Sequence, residues 1–263
     1  MELATADPVI DQAVSSARGR YLYAIIDRHG DSDALNLTGL ENAPVYAIGD
    51  GPIVAVVSDI PDKKIRPERR RLAAHHDVLR RLMAGHTVLP MSFGLIADGA
   101  DSVMRILRLN EGVFHDQINR VRGKVEMGVR VTWDVPNIFE YILGIHPDLA
   151  LYRDLIFKGG RTPTHDEKIE LGRSFDRFLQ SDREVCSERV MNLLEPCCAE
   201  IVVNKPRDER DVMNLACLVD RDRMKDFEAG VIAAARGFNQ DFAFDFNGPW
   251  PPHNFVEVEL RLS

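Results

Sequence analysis

Hydrophobic spacing changes character several times along the chain. Short runs rich in β-branched and aromatic residues occupy 20–27 (RYLYAIID) and, twice, 44–60 (PVYAIGDGPIVAVVSDI), where Gly49-Asp50-Gly51-Pro52 supplies hairpin punctuation between two strands. Between Arg66 and Gly85 the period becomes helical. Leu72, His75 or His76, Leu79 and then Leu82 or Met83 share one face, Pro67 and Glu68 suit a first turn, and Gly85 ends the element. The next segment, 86–96 (HTVLPMSFGLI), reads as a strand interrupted by Pro90, hence an edge, a bulge or a bend. Together these predict a helix packed over an antiparallel sheet.

Two helical patterns follow, DSVMRILRLN with Asp101 or Ser102 as N-cap, and EGVFHDQINRVRG. From Lys124 to Asp134 the residues Val125, Met127, Val129, Val131 and Trp133 alternate with polar or small ones, the mark of a half-buried strand. Pro136 opens a helical region reaching Pro196, broken at Gly159-Gly160 and restarted by the capping-box pair Thr164 and Glu167. The last third reads as strands at 199–206 and 212–220 and an Ala-rich amphipathic helix at 221–238. A strand at 241–248 follows, its Phe242, Phe244 and Phe246 directed at that helix as core.

The order strand, helices, strand, strand, helix, strand is that of a ferredoxin-like β-α-β-β-α-β unit with an enlarged first crossover. The fold class expected is therefore α+β in two domains, with antiparallel sheets and packed helices. A flexible leader occupies 1–19, an N-terminal α+β domain 20–123, and a modified ferredoxin-like domain 124–248 with its helical region at 136–196. In the remaining tail, 249–263, prolines 249, 251 and 252 cannot donate ladder hydrogen bonds, so the sheet strand is expected to stop at about Gly248. A new alternation at Phe255, Val256, Val258 and Leu260 predicts a strap packed back on the N-terminal domain, with Trp250 buried at the junction.

Composition narrows the function classes. The 263 residues are 45% hydrophobic and 28% charged, ordinary for a globular protein. No apolar run approaches the roughly 18–20 residues that span a bilayer. The N-terminus lacks a basic segment followed by an apolar core, so a cytoplasmic location is expected. Cys186, Cys197, Cys198 and Cys217 form no C-x-x-C pair and read as structural. A net charge of −8 argues against a general nucleic-acid binder, and no lipid-membrane partner is expected. The stretch from Asp62 to Arg81 is the exception, with eight basic residues against three acids. Its Lys63, Lys64, Arg66, Arg69, Arg70 and Arg71 form either a solvated helix face or a docking surface for an acidic partner.

Reactive constellations are absent from the sequence: no nucleophile elbow, phosphate loop, H-E-x-x-H or kinase signature occurs. Only His75, His76 and His86 fall close enough to cluster. They define the alternative to a binding protein, a ferredoxin-like enzyme or a small-molecule or haem-binding protein using one of them. An RNA-binding use of Phe242, Phe244 and Phe246 is disfavoured by the acidic strand that carries them.

Several stretches, in order, carry a resemblance: YLYAIID, IVAVVSDI, AHHDVLRRLMAGHTVLPMSFG, GKVEMGVRV, NLACLV and GPWPPHNF. From about residue 20 to 258 the chain resembles the gas vesicle protein GvpL/GvpF family. The resemblance implies a two-domain α+β fold with ferredoxin-like parts and an accessory or minor structural role in gas vesicle formation. It also implies partnership with the small hydrophobic shell protein and other accessory proteins, with no enzymatic activity and no cofactor. The family motifs here include Pro90, Phe93, Gly94, Gly248, Pro249, Trp250, Pro251, Pro252 and Phe255, which are expected to define the fold rather than a catalytic centre.

Overall fold

The computed structural model describes residues 18–28, 35–61 and 64–261. The chain divides into two compact units, the first extending to Asp116 and taking back the chain from Val258, the second comprising Gln117–Glu257.

The first unit is an antiparallel sheet with helices. Its strands are β1 (Arg18–Asp27), β2 (Leu37–Thr38), β3 (Pro44–Ile48), β4 (Ile53–Pro61), β5 (Val88–Pro90) and β6 (Ile96–Ala97), in the order β2-β3-β4-β1-β5 with β6 also on β1. Residues Tyr21 to Ile26 of β1 are all buried, and the helices α1 (Arg69–Leu82) and α2 (Gly99–Leu109) both contact that strand. A strand covered on both faces reads as an unbroken apolar run, as RYLYAII does. The expected bend at Pro90 separates β5 from β6, which pair with the same strand at Ala24 to Ile26 and at Arg20–Tyr21.

Two helix starts differ from expectation. Glu68 is extended and precedes Arg69, so Pro67 lies outside α1. The second helix begins at Gly99 behind Asp98, because the Ser102 hydroxyl is turned back onto the Asp98 carbonyl, 3.0 Å away, as a residue inside a helix does.

In the second unit the strands β7 (Lys124–Trp133), β8 (Glu200–Asn204), β9 (Asp211–Asp220) and β10 (Phe242–Trp250) are ordered β10-β7-β9-β8, all antiparallel. That is the ferredoxin-like arrangement, in which the first and third strands are central. A helix α3 (Glu111–Val121) leads into β7, and the first crossover holds α4 (Ile138–Ile145), α5 (Pro147–Ile156) and α6 (His165–Leu194). The second crossover is α7 (Met224–Ala235), which packs on α6 and on β9. Alternation along β7 is as expected: Val125, Met127, Val129, Val131 and Trp133 are all buried. The capping box at Thr164 and Glu167 is formed.

One buried cation ties helix to sheet. Arg183 of α6 donates its Nε to the Asp211 carbonyl at 2.8 Å and its Nη2 to the Asp208 and Glu209 carbonyls at 3.1 and 3.2 Å. Its guanidinium also lies 5.7 Å from the Trp133 ring centroid. The β8–β9 connection is thereby held by backbone acceptors rather than by a single carboxylate. No helix among the described residues is long and apolar enough to cross a membrane.

Candidate functional site

The basic stretch is only partly neutralised. Lys63 lies outside the described residues. Arg71 bridges Glu41 at 2.8 Å and Glu68 at 3.2 Å, and Arg80 and Arg81 both reach Asp77 at 2.7 Å. The hydrogen bond from Arg80, joined by Arg81, holds the Asp77 carboxyl below the usual carboxylate range. Lys64, Arg66, Arg69 and Arg70 are exposed, and among the described residues the three arginines form no ion pair. Two of them occupy the first turn of α1, which contains no acid, so they face the positive end of the helix dipole. A depression of about 340 Å³ beside them is lined by Gly39, Glu41, Asn42, Glu68, Arg70, Arg71 and Ala74.

The histidines do not assemble into one site. His75 is buried with its Nδ1 2.9 Å from the Tyr21 hydroxyl, in a cluster with Tyr23 and Phe93 at ring distances of 5.7 and 5.8 Å. His76 is exposed beside it. His86 lies elsewhere, its Nδ1 3.2 Å from the Asp27 carbonyl. Tyr21 also accepts the Gly94 N–H at 3.3 Å, and the Tyr23 hydroxyl meets Ser58 at 2.8 Å and accepts the Leu40 N–H at 2.8 Å. Burial pushes the ionisation of both tyrosines upward, so they stay neutral hydrogen-bonding groups. Phe93 and Gly94 thus close a buried aromatic and polar cluster, and Pro90 ends β5 against Ala24. Among the described residues no group of three or more His, Cys, Asp or Glu side chains is placed to hold a metal ion.

The closing motif differs most from expectation. The strand does not stop at Gly248: β10 continues to Trp250, which pairs with Glu126 after an irregularity between Asn247 and Trp250. β10 is an edge strand, so Pro249 sits where no inward N–H is needed. Gly248 has φ +126, and a Cβ there would meet the Met127 sulfur at 2.8 Å and the Glu126 carbonyl at 2.9 Å. Trp250 is 44% exposed rather than packed at a junction, and its Nε1–H donates to Asn247 Oδ1 at 2.7 Å. The buried members of the motif are Pro251, Pro252 and Phe255. Asn254 fixes the turn by donating its N–H and Nδ2 to the two oxygens of Glu126, at 2.8 and 2.7 Å. From Val258 the chain belongs to the first unit, where the Arg261 backbone is held by the side chain of Asn110 at 2.9 and 3.0 Å. Phe242 and Phe244 pack on Phe238 at 4.9 and 5.1 Å, whereas Phe246 is 42% exposed and is not core.

One apolar surface escaped the sequence reading. In α5, Leu151 and Leu155 are 68% and 61% exposed, one turn apart on the same face, with Phe157 just beyond them and Phe139 of α4 also exposed. The signal was present in PDLALYRDLIFKG, which has more apolar residues than one buried stripe uses; only Leu149 and Ile156 of α5 are buried.

The class of molecule is a two-unit α+β protein whose second sheet has the ferredoxin-like order. Residues 19–257 match the family of the gas vesicle synthesis protein GvpL/GvpF, and the chain belongs to that family. It is 31% identical to gas vesicle protein F of Streptomyces sp. (strain CB03234), covering 90% of this chain and 99% of the relative. With gas vesicle protein F of Dolichospermum flosaquae the identity is 25%, over 91% and 98%. The crystal structure of GvpF from Anabaena sp. PCC7120 superposes with a TM-score of 0.80 at 25% identity, covering 92% of this chain and 99% of that one. GvpF from Microcystis aeruginosa shares the fold, with a TM-score of 0.77 at 23% identity over 91% and 99%. Family membership supports a role in gas vesicle formation, and the relatives named here are gas vesicle proteins.

Proposed function

We propose that the chain is a non-enzymatic assembly protein of the gas vesicle, acting in the cytoplasm and at the vesicle by binding the small hydrophobic shell protein and other vesicle proteins. The observation that carries this reading is the family match across residues 19–257. A subunit destined to face gas is an aggregation hazard until it is built into a wall, and a soluble partner with its own apolar contact surface lowers that hazard. The exposed Leu151, Leu155, Phe157 and Phe139 supply such a surface. The exposed Arg66, Arg69 and Arg70, which form no ion pair among the described residues, supply a separate contact for acidic vesicle proteins.

Co-expression and co-purification with the shell protein tests the reading. The wild-type chain is expected to retain the subunit, and Leu151→Glu with Leu155→Glu to retain about tenfold less, since two desolvated apolar contacts are replaced by charges. Absence of any association, together with normal vesicles in cells lacking the gene, would overturn it.

A further inference from the structure

The face of the second sheet away from α6 and α7 is a built trough. The pairing register places three rows of residues across its four strands. Asp245, Arg130, Asn214 and Asn204 form one row. The next is Asn247, Gly128, Ala216 and Val202, and the third begins with Trp250 and Glu126. The middle row is low at Ala216, which carries only a methyl group, while the Asn247 amide lies over Gly128. The depression, about 570 Å³, is lined by members of all three rows together with Arg207 and Asn254.

Two features separate this trough from an ordinary solvated face. The indole at its rim is fixed in place while exposed: Trp250 is tied to Asn247, whose Oδ1 lies where a Cβ on residue 128 would come within 2.8 Å. Glycine at 128 therefore admits the side chain that holds the tryptophan, and the low part of the floor lies at Ala216. A partly exposed tryptophan held by a hydrogen bond is a residue type that often anchors a protein contact.

The charges along the walls are also sorted. Arg130 is taken up by Asp211, with Nε at 2.7 Å, and Glu126 by Asn254. What remains is the exposed guanidinium of Arg207, beyond the β8 end of the sheet, and the exposed carboxylate of Asp245 on β10, the opposite edge. Neither forms an ion pair among the described residues. Between them Asn204 and Asn214 each offer a donor and an acceptor, the complement of a peptide group, and Asn247, its Oδ1 engaged by Trp250, adds a donor at the β10 edge.

We infer that this trough is a docking site for an extended polypeptide segment of a partner, lying across the strands with an acidic side chain against Arg207, a basic one against Asp245 and an apolar one on Trp250. The occupant follows from the bipolar walls, the amide-matching asparagines and the low floor that lets a backbone approach. Shell-protein binding through α5 is a separate matter, and this inference stands or falls independently of it.

The test uses the full-length, isotope-labelled protein and two synthetic extended peptides of identical composition. Each carries one charge at one end and the opposite charge beside a leucine at the other, the leucine neighbouring the basic residue in one peptide and the acidic residue in the second, because Trp250 and Asp245 share the β10 edge. The peptide with leucine beside its basic residue is expected to shift the Gly128, Ala216 and Asn247 amides and the Trp250 indole signal, and to bind at least about tenfold tighter than the other. Arg207→Glu with Asp245→Lys, both at exposed positions, is expected to invert that preference, and Trp250→Ala to weaken both peptides about tenfold. The inference is overturned if both orders bind equally, if neither shifts these signals at saturating peptide, or if the double reversal leaves the preference unchanged. It is equally overturned if the signals move with protein concentration alone, which assigns the face to a second copy, or respond to an oligosaccharide and not to peptide.

Discussion

The two tryptophans of this protein meet the same sheet on opposite faces. Trp133, in β7, is 2% exposed, with Arg183 over its ring and Phe242 at 6.4 Å. Trp250, in β10, is 44% exposed and bonded only to Asn247 among the described hydrogen bonds. Strand parity decides the difference. Phe242, Phe244 and Phe246 pair with Trp133, Val131 and Val129 on the helix-covered side, and an even-numbered Trp250 would follow them there. The extra residue between Asn247 and Trp250 reverses the parity and sends the indole to the other face. The same residue type is core in one place and contact surface in the other, and one inserted residue makes the distinction.

The largest way to break this comparison is to empty its buried side. Trp133→Ala is expected to cost about 4 kcal/mol in denaturant unfolding of the second unit, because a fully packed ring and the platform for Arg183 go together. Next is the device that reverses the parity. Gly248→Ala places a Cβ at φ +126 against Met127 and Glu126 and is expected to cost about 2 kcal/mol, with Trp250 losing its defined position in the indole spectrum.

A smaller, pH-dependent effect belongs to Glu126. Burial pushes its carboxyl above the ordinary glutamate range, partly offset by the two donors of Asn254. The folded state therefore binds this proton more tightly than the unfolded chain does. Its contribution to stability is complete below the ordinary glutamate range and is lost as pH rises through the raised value. Unfolding curves taken across that window are expected to show the loss in the wild type and to flatten in Glu126→Gln. The smallest effect is that of Trp250→Ala, expected to cost about 1 kcal/mol or less because nearly half of the residue is already in solvent.

Much of the architecture was legible in residue spacing. The alternation from Val125 to Trp133 named the buried side of β7, and the Thr164–Glu167 pair named the start of α6. Helix and strand periods are properties of the segment itself, so they survive in the sequence. What stayed hidden depends on partners far along the chain. Three prolines near Gly248 read as the end of a strand, yet at a sheet edge with a positive-φ glycine the ladder tolerates one and continues. Two-residue strands such as β2 and β6 carry no period, and their pairing is set by β3 and β1. The basic residues at 64–71 were visible as a run, but not that Arg71 is consumed by Glu41, a residue 30 positions away. The trough was least visible, since its floor and walls come from four strands and exist only in register.

Acrylamide quenching of tryptophan fluorescence, compared between the wild type and Trp250→Phe, tests the two-faced sheet most directly. Trp133, the emitter left in the variant, is predicted to be shielded with or without peptide. The additional wild-type emission is predicted to be freely quenched and to become shielded when the preferred charge-ordered peptide is bound. Equal shielding of both tryptophans in the free protein, or a Trp250 signal whose quenching saturating peptide leaves unchanged, would contradict it.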